Sequence, residues 1–130
     1  MLSVILACDD PYAAADLYTE RLGWRLVFAT PRESGDPLAC VALGDAEVML
    51  GTAEEQFLPA VSRAHRGAGV TVYVRLPAGE DIAAVHDRHA AAGVVTTPLS
   101  IRPWGVLAFN AVIDGYRFLV VQQQDAPGEA

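Results

Sequence analysis

The chain contains no lysine: all nine basic residues are arginine, set against sixteen acidic ones for a net charge of −7. Nucleic-acid backbones are bound by clustered Lys and Arg, so this balance argues against a nucleic-acid partner. No apolar run approaches the ~20 residues that a membrane-spanning helix needs, so no membrane partner is expected. The N-terminal stretch has neither a basic flank nor a small-residue cleavage site, which points to a cytoplasmic protein. Cysteine is scarce. Cys8 and Cys40 fall inside strand-like apolar runs and are expected to be buried free thiols, with Cys8 facing the helix layer. Histidine is scarce too. His65 falls in a linker and His86 and His89 on a helix, which leaves neither a metal centre nor a Ser-His-Asp or Cys-His arrangement. What is abundant is apolar: 52% of residues are hydrophobic and 19% charged, which excludes disorder. A chain of 130 residues is one compact domain that buries about two thirds of its unfolded surface.

That apolar content is laid down twice. Leu2 to Cys8 alternates like a strand, and Asp10-Pro11 then opens a helix, Asp accepting from free backbone N–H groups and Pro sitting where none is needed. Ala14, Leu17, Tyr18, Arg21 and Leu22 recur at helical spacing up to the closing Gly23. Strands are expected at 24–30, 38–43 and 47–51, the last two joined by Gly44-Asp45. The second copy gives a strand at 70–76, a helix at about 80–92 closed by Gly93, and strands at 94–97, 106–113 and 116–122 around the hairpin turn Asp114-Gly115. Gly23 and Gly93 are 70 residues apart, and so are Gly44 and Asp114. The fold class is therefore α+β: two tandem βαβββ units, about 1–51 and 70–122, joined by a linker at 52–69 and followed by a frayed tail at 123–130. Each unit is a curved sheet with its helix on one face, and the other face must find a partner or a ligand.

Asp10, Ala14, Leu17-Tyr18 and Leu22-Gly23-Trp24, followed by Ala46-Glu47-Val48-Met49-Leu50, Pro103-Trp104-Gly105 and Asp114-Gly115, resemble the pattern of the vicinal oxygen chelate superfamily. That superfamily includes glyoxalase I, extradiol dioxygenases, fosfomycin-modifying enzymes and bleomycin-resistance proteins. The resemblance implies a homodimer in which units of two chains combine around a pair of clefts. In the enzymes, four cleft-facing positions hold a divalent metal. Here they are expected to fall on Ser3, Met49, Tyr73 and Leu119, none of which is a usual ligand, so neither a metal nor another cofactor is expected.

Strand alternation puts Ser3, Ile5, Ala7, Glu47, Met49, Tyr73, Arg75, Arg117, Leu119 and Val121 on the cleft side, and Asn110 is added as a polar contact. Trp104, on a loop before the seventh strand, is expected to cover the cleft mouth, whereas Trp24 is expected in the core. A mostly apolar wall with a few polar groups is how small-molecule sites are built. Arg75 and Arg117 either orient a ligand or pair with Glu47. The leading expectation is a bleomycin-resistance-like, non-enzymatic protein that sequesters a planar aromatic antibiotic. One alternative is a divalent-metal-dependent lyase, isomerase or dioxygenase; another is an interaction or chaperone module.

Overall fold

The computed structural model describes residues 3–123; the tail from 124 onward, expected to fray, lies outside them. Strand β1 (Val4–Cys8) leads into α1 (Pro11–Asp16), whose N-cap Asp10 accepts from the backbone N–H groups of Tyr12 and Ala13. The helix continues as a single π-type turn, Leu17–Arg21, before Gly23 reverses the chain at φ +82°. Three strands complete the first unit: β2 (Arg25–Ala29), β3 (Leu38–Leu43) and β4 (Ala46–Thr52). The linker forms a short 3-10 segment, Ala60–His65. The second unit comprises β5 (Thr71–Leu76), α2 (Ile82–Ala91), β6 (Val95–Ile101), β7 (Leu107–Ile113) and β8 (Tyr116–Gln122). Among the described residues, no helix is long and apolar enough to cross a membrane.

The two sheets have the same plan, β1-β4-β3-β2 and β5-β8-β7-β6. Each first strand lies parallel to the last strand of its unit, and the other pairings are antiparallel. Period-two alternation divides every sheet into two faces. Leu6, Val48, Leu50, Val74, Phe109, Phe118 and Val120 lie on the helix side, and all join one hydrophobic core that spans both units.

Aromatic contacts join the units within that core. Tyr18 and Trp24 of the first unit meet Phe118 of the second edge-on, with centroids 6.1 Å and 5.6 Å from its ring. Trp24 is 3% exposed and is a core residue. Its Nε1–H donates to Nε2 of the fully buried His89 at 3.1 Å, so the His89 proton sits on Nδ1, 2.8 Å from the Val85 carbonyl. Burial holds the His89 pKa below its ordinary value, with smaller contributions in the same direction from His86 and Arg88, against the hydrogen bond to Val85. A proton on Nε2 would oppose two donors. Because the folded pKa is depressed, this contribution to stability is intact above about pH 6.5 and is lost as pH falls from there through the folded value. Acid unfolding midpoints of wild type and His89→Gln are expected to diverge in that window, with the shallower pH dependence in the variant.

The hairpin turns are clamped by arginines. Asp45 Oδ2 accepts from Arg75 Nε at 2.9 Å, and Asp45 Oδ1 accepts from the Arg75 backbone N–H at 2.8 Å. Asp114 pairs with Arg66 Nη2 at 2.6 Å. The first clamp joins unit one to unit two, and the second fastens the linker to the last hairpin.

Candidate ligand-binding site

The faces turned away from the helices are uncovered within the chain: Ile5 is 63% exposed and Tyr73 is 49% exposed. Strand register orders their side chains into cross-strand rows. On the first sheet, Ile5 pairs with Met49, Met49 with Cys40, and Cys40 with Phe28, giving one apolar row across all four strands. On the second, Tyr73 pairs with Leu119, Leu119 with Asn110, and Asn110 with Thr97. The two rows occupy equivalent places, since Met49 and Leu119 are 70 residues apart, as are Cys40 and Asn110. One row is apolar throughout, and the other carries two hydroxyls and an amide.

This register corrects one expectation. The residue equivalent to Tyr73 is Ile5, the partner of Met49, so the offset on the first strands is 73 − 5 = 68 rather than 70. Ser3 lies just ahead of β1 and is exposed. Two differences combine: Asp10 caps α1 two residues after β1 ends, whereas Asp81 caps α2 five residues after β5 ends, and the helical segment with its π-type turn is one residue longer in the first unit, leaving a net shift of two.

The remaining candidates are dispersed. Glu47, Tyr73 and Arg75 line one hollow of 580 Å³ at the seam between β4 and β5. Arg75 is engaged by Asp45, not by Glu47. Arg117 lies between Thr71 and Val112 on the exposed face of β8 and, among the described residues, forms no ion pair with Glu47. Trp104 is 60% exposed on the β6–β7 loop, outside the two rows.

Three row members were not legible in the sequence: Phe28, Cys40, and Thr97, which lies between two register shifts of the β6–β7 pairing. Phe28 follows an irregularity in the β2–β3 register between Leu26 and Phe28, which breaks simple alternation. Cys40 reads as a core thiol and is indeed 2% exposed, yet its partner Met49 places it on the open face. Burial, and then the nearby Glu47 carboxylate, push its pKa up, so the thiol stays protonated. Cys8, on the helix side, is pushed up to about 12, chiefly by burial.

A divalent metal at the superfamily's positions would meet Ile5, Met49, Tyr73 and Leu119. An alkyl group, a thioether, a neutral phenol and a second alkyl group do not fit a hard or borderline cation. Among the described residues, no three His, Cys, Asp or Glu side chains gather at a metal-binding distance. His89 is committed to Trp24 and Val85, and His86 contacts Asp87 on α2.

The duplicated βαβββ units and their open faces define a class, and comparison with known proteins agrees with it. The profile of the Glyoxalase/Bleomycin resistance protein/Dioxygenase superfamily matches residues 1–120, and the chain belongs to that superfamily. Among solved structures, TioX from Micromonospora sp. ML1 is 25% identical with a TM-score of 0.71, over 97% of this chain and 98% of that one. A bleomycin resistance determinant encoded on the transposon Tn5 is 20% identical with a TM-score of 0.67, over 96% and 98% of the two chains. A superfamily member from Sphaerobacter thermophilus DSM 20745 is 23% identical with a TM-score of 0.63, over 93% and 94%. No curated protein sequence matches the chain.

Proposed function

We propose that the protein binds and sequesters a planar aromatic natural-product antibiotic without transforming it, and so protects the cytoplasm of the cell that holds it. The observation that carries this reading is the replacement of metal donors by Ile5, Met49, Tyr73 and Leu119 on two accessible sheet faces. Flat rings pack well against an aromatic face and a pliable thioether, and the hydroxyls and amide of the second row supply orientation. The likeness to a bleomycin resistance determinant supports the same reading.

The site is completed by a second copy of the chain. The edge strand β2 exposes Leu26, Val27 and Phe28, at 51%, 42% and 42%, and a homodimer that sets the first sheet of one protomer against the second sheet of its partner would cover them. Each cleft would then have one apolar wall and one hydrogen-bonding wall.

Tryptophan fluorescence tests the proposal. Trp24 is buried and Trp104 is exposed, so quenching by bleomycin or another planar antibiotic is expected to come from Trp104. By calorimetry, Tyr73→Ala and Trp104→Ala are each expected to weaken binding about tenfold or more, the ~1.4 kcal/mol of a lost aromatic contact. Unchanged affinity in both variants would remove these residues from the site.

A further inference from the structure

The edge strands β1 and β5 do not pair with each other, and the seam between them is closed at one end and open at the other. At the β1–β8 end it is filled by Tyr116, which is 6% exposed and whose hydroxyl donates to the Ala7 carbonyl at 2.7 Å. The Arg66 guanidinium lies 5.6 Å from the centroid of that ring. At the β4–β5 end the equivalent residue is Ala46, because 116 − 46 = 70 and each of the two pairs with the last residue of the preceding strand. Where one unit places a tyrosine ring, the other places a methyl group, and the 580 Å³ hollow lies beside it.

Charge differs between the two ends as well. The counterpart of Arg117 is Glu47, since 117 − 47 = 70. Arg75, at the rim, is ion-paired with Asp45 through its Nε, and its backbone N–H donates to the same carboxylate. The Glu47 carboxylate has no hydrogen bond or ion pair among the described residues. The hollow therefore combines an apolar floor of Val4, Ala46 and Val72, an exposed aromatic ring at Tyr73, and one uncompensated carboxylate.

We propose that this hollow binds a hydrophobic organic cation: a protonated amine on an aromatic ring or short alkyl chain, its body beside Ala46 and its ammonium group against Glu47 and the face of Tyr73. An ammonium group is attracted both by a carboxylate and by the negative face of a phenol ring, and more strongly where water is partly excluded. The proposal rests on the sequestration reading and deepens it, because Glu47 and Tyr73 belong to the wall assigned to the antibiotic. It identifies a cationic arm as the part of the ligand held at the seam.

The test is calorimetric titration of the full chain at pH 7 with phenethylammonium and with its neutral isostere 2-phenylethanol. Saturable binding is expected, with the ammonium at least about tenfold the tighter. Glu47→Gln is expected to erase that preference, and Ala46→Tyr to block both compounds. Should Ala46→Tyr fail to fold, the surface change Glu47→Gln still decides the matter. Equal affinity of wild type for the two compounds, or an ammonium affinity indifferent to Glu47→Gln, would overturn the proposal. The two readings separate cleanly. Selective amine binding by a protein that takes up no aromatic antibiotic upholds the hollow and removes sequestration; antibiotic binding without amine selectivity does the reverse.

Discussion

Replacing Phe118 with alanine is expected to destabilise the protein by about 3–5 kcal/mol, the range for removing a buried aromatic ring from a packed core. Phe118 is fully buried and receives both Tyr18 and Trp24, whose rings also meet each other at 5.1 Å. These contacts fasten the π-type turn and Trp24 of the first unit to β8 of the second, so the loss falls on the joint between units as well as on the local core. Edge-to-face aromatic pairs add about 0.5–1.5 kcal/mol each beyond the area they bury, which places Phe118→Ala toward the upper part of the range. Domain stabilities run to about 5–15 kcal/mol, so the variant should remain measurable by urea unfolding but with a much lower midpoint. A shift under about 1 kcal/mol would mean that the units do not share a core at this place.

Gly44→Ala is expected to destabilise by roughly 2–5 kcal/mol, for two reasons that add. Gly44 has φ +56°, a conformation that disfavours any residue with a Cβ by about 1–2 kcal/mol. A Cβ there would also come within 2.3 Å of the Arg75 carbonyl oxygen, a backbone atom that already accepts from the Asp45 N–H. Overpacking of this kind costs about 1–3 kcal/mol. Gly93→Ala is the control. It shares the positive φ, at +78°, but a Cβ would meet nothing within 4 Å, so only the conformational part is expected. Thermal unfolding of the two variants side by side would separate strain from collision, and equal shifts would mean that the turn does not abut β5.

The glycines were legible because their role is local. Gly23 and Gly93 end helices and Gly44 sits in a hairpin turn, and each of these jobs depends on backbone conformation rather than on distant contacts. The hairpin registers could be read for the same reason: a tight turn fixes which residues face each other, so Met49 and Leu119 fall at equivalent places as the spacing implies. The parallel pairing of β1 with β4 has no such turn. Its register depends on how the strand feeds the helix, and a two-residue difference was enough to put Ile5, rather than Ser3, opposite Met49.

Contacts between the units were beyond the reach of pattern. The hydrogen bond from Trp24 to His89 spans 65 residues, and nothing in the local sequence of either residue signals it. The pairing of Arg75 with Asp45 likewise depends on where β5 ends against the first hairpin, so the sequence offered Glu47, and not Asp45, as the acidic partner of Arg75. Strand alternation assigns side chains to faces without distances, which is why Tyr73, Met49, Leu119 and Asn110 could be placed on the faces away from the helices from sequence alone.

The proposed sequestration requires that the positions used for metal ligation in enzymes of this superfamily serve apolar and aromatic contact in this chain. Calorimetric titration of the untagged protein with Mn, Fe, Ni and Zn tests it most directly. No saturable uptake at any of the four ions is the result expected. One ion held tightly per cleft would contradict it, and would mean that residues other than Ile5, Met49, Tyr73 and Leu119 supply its donors.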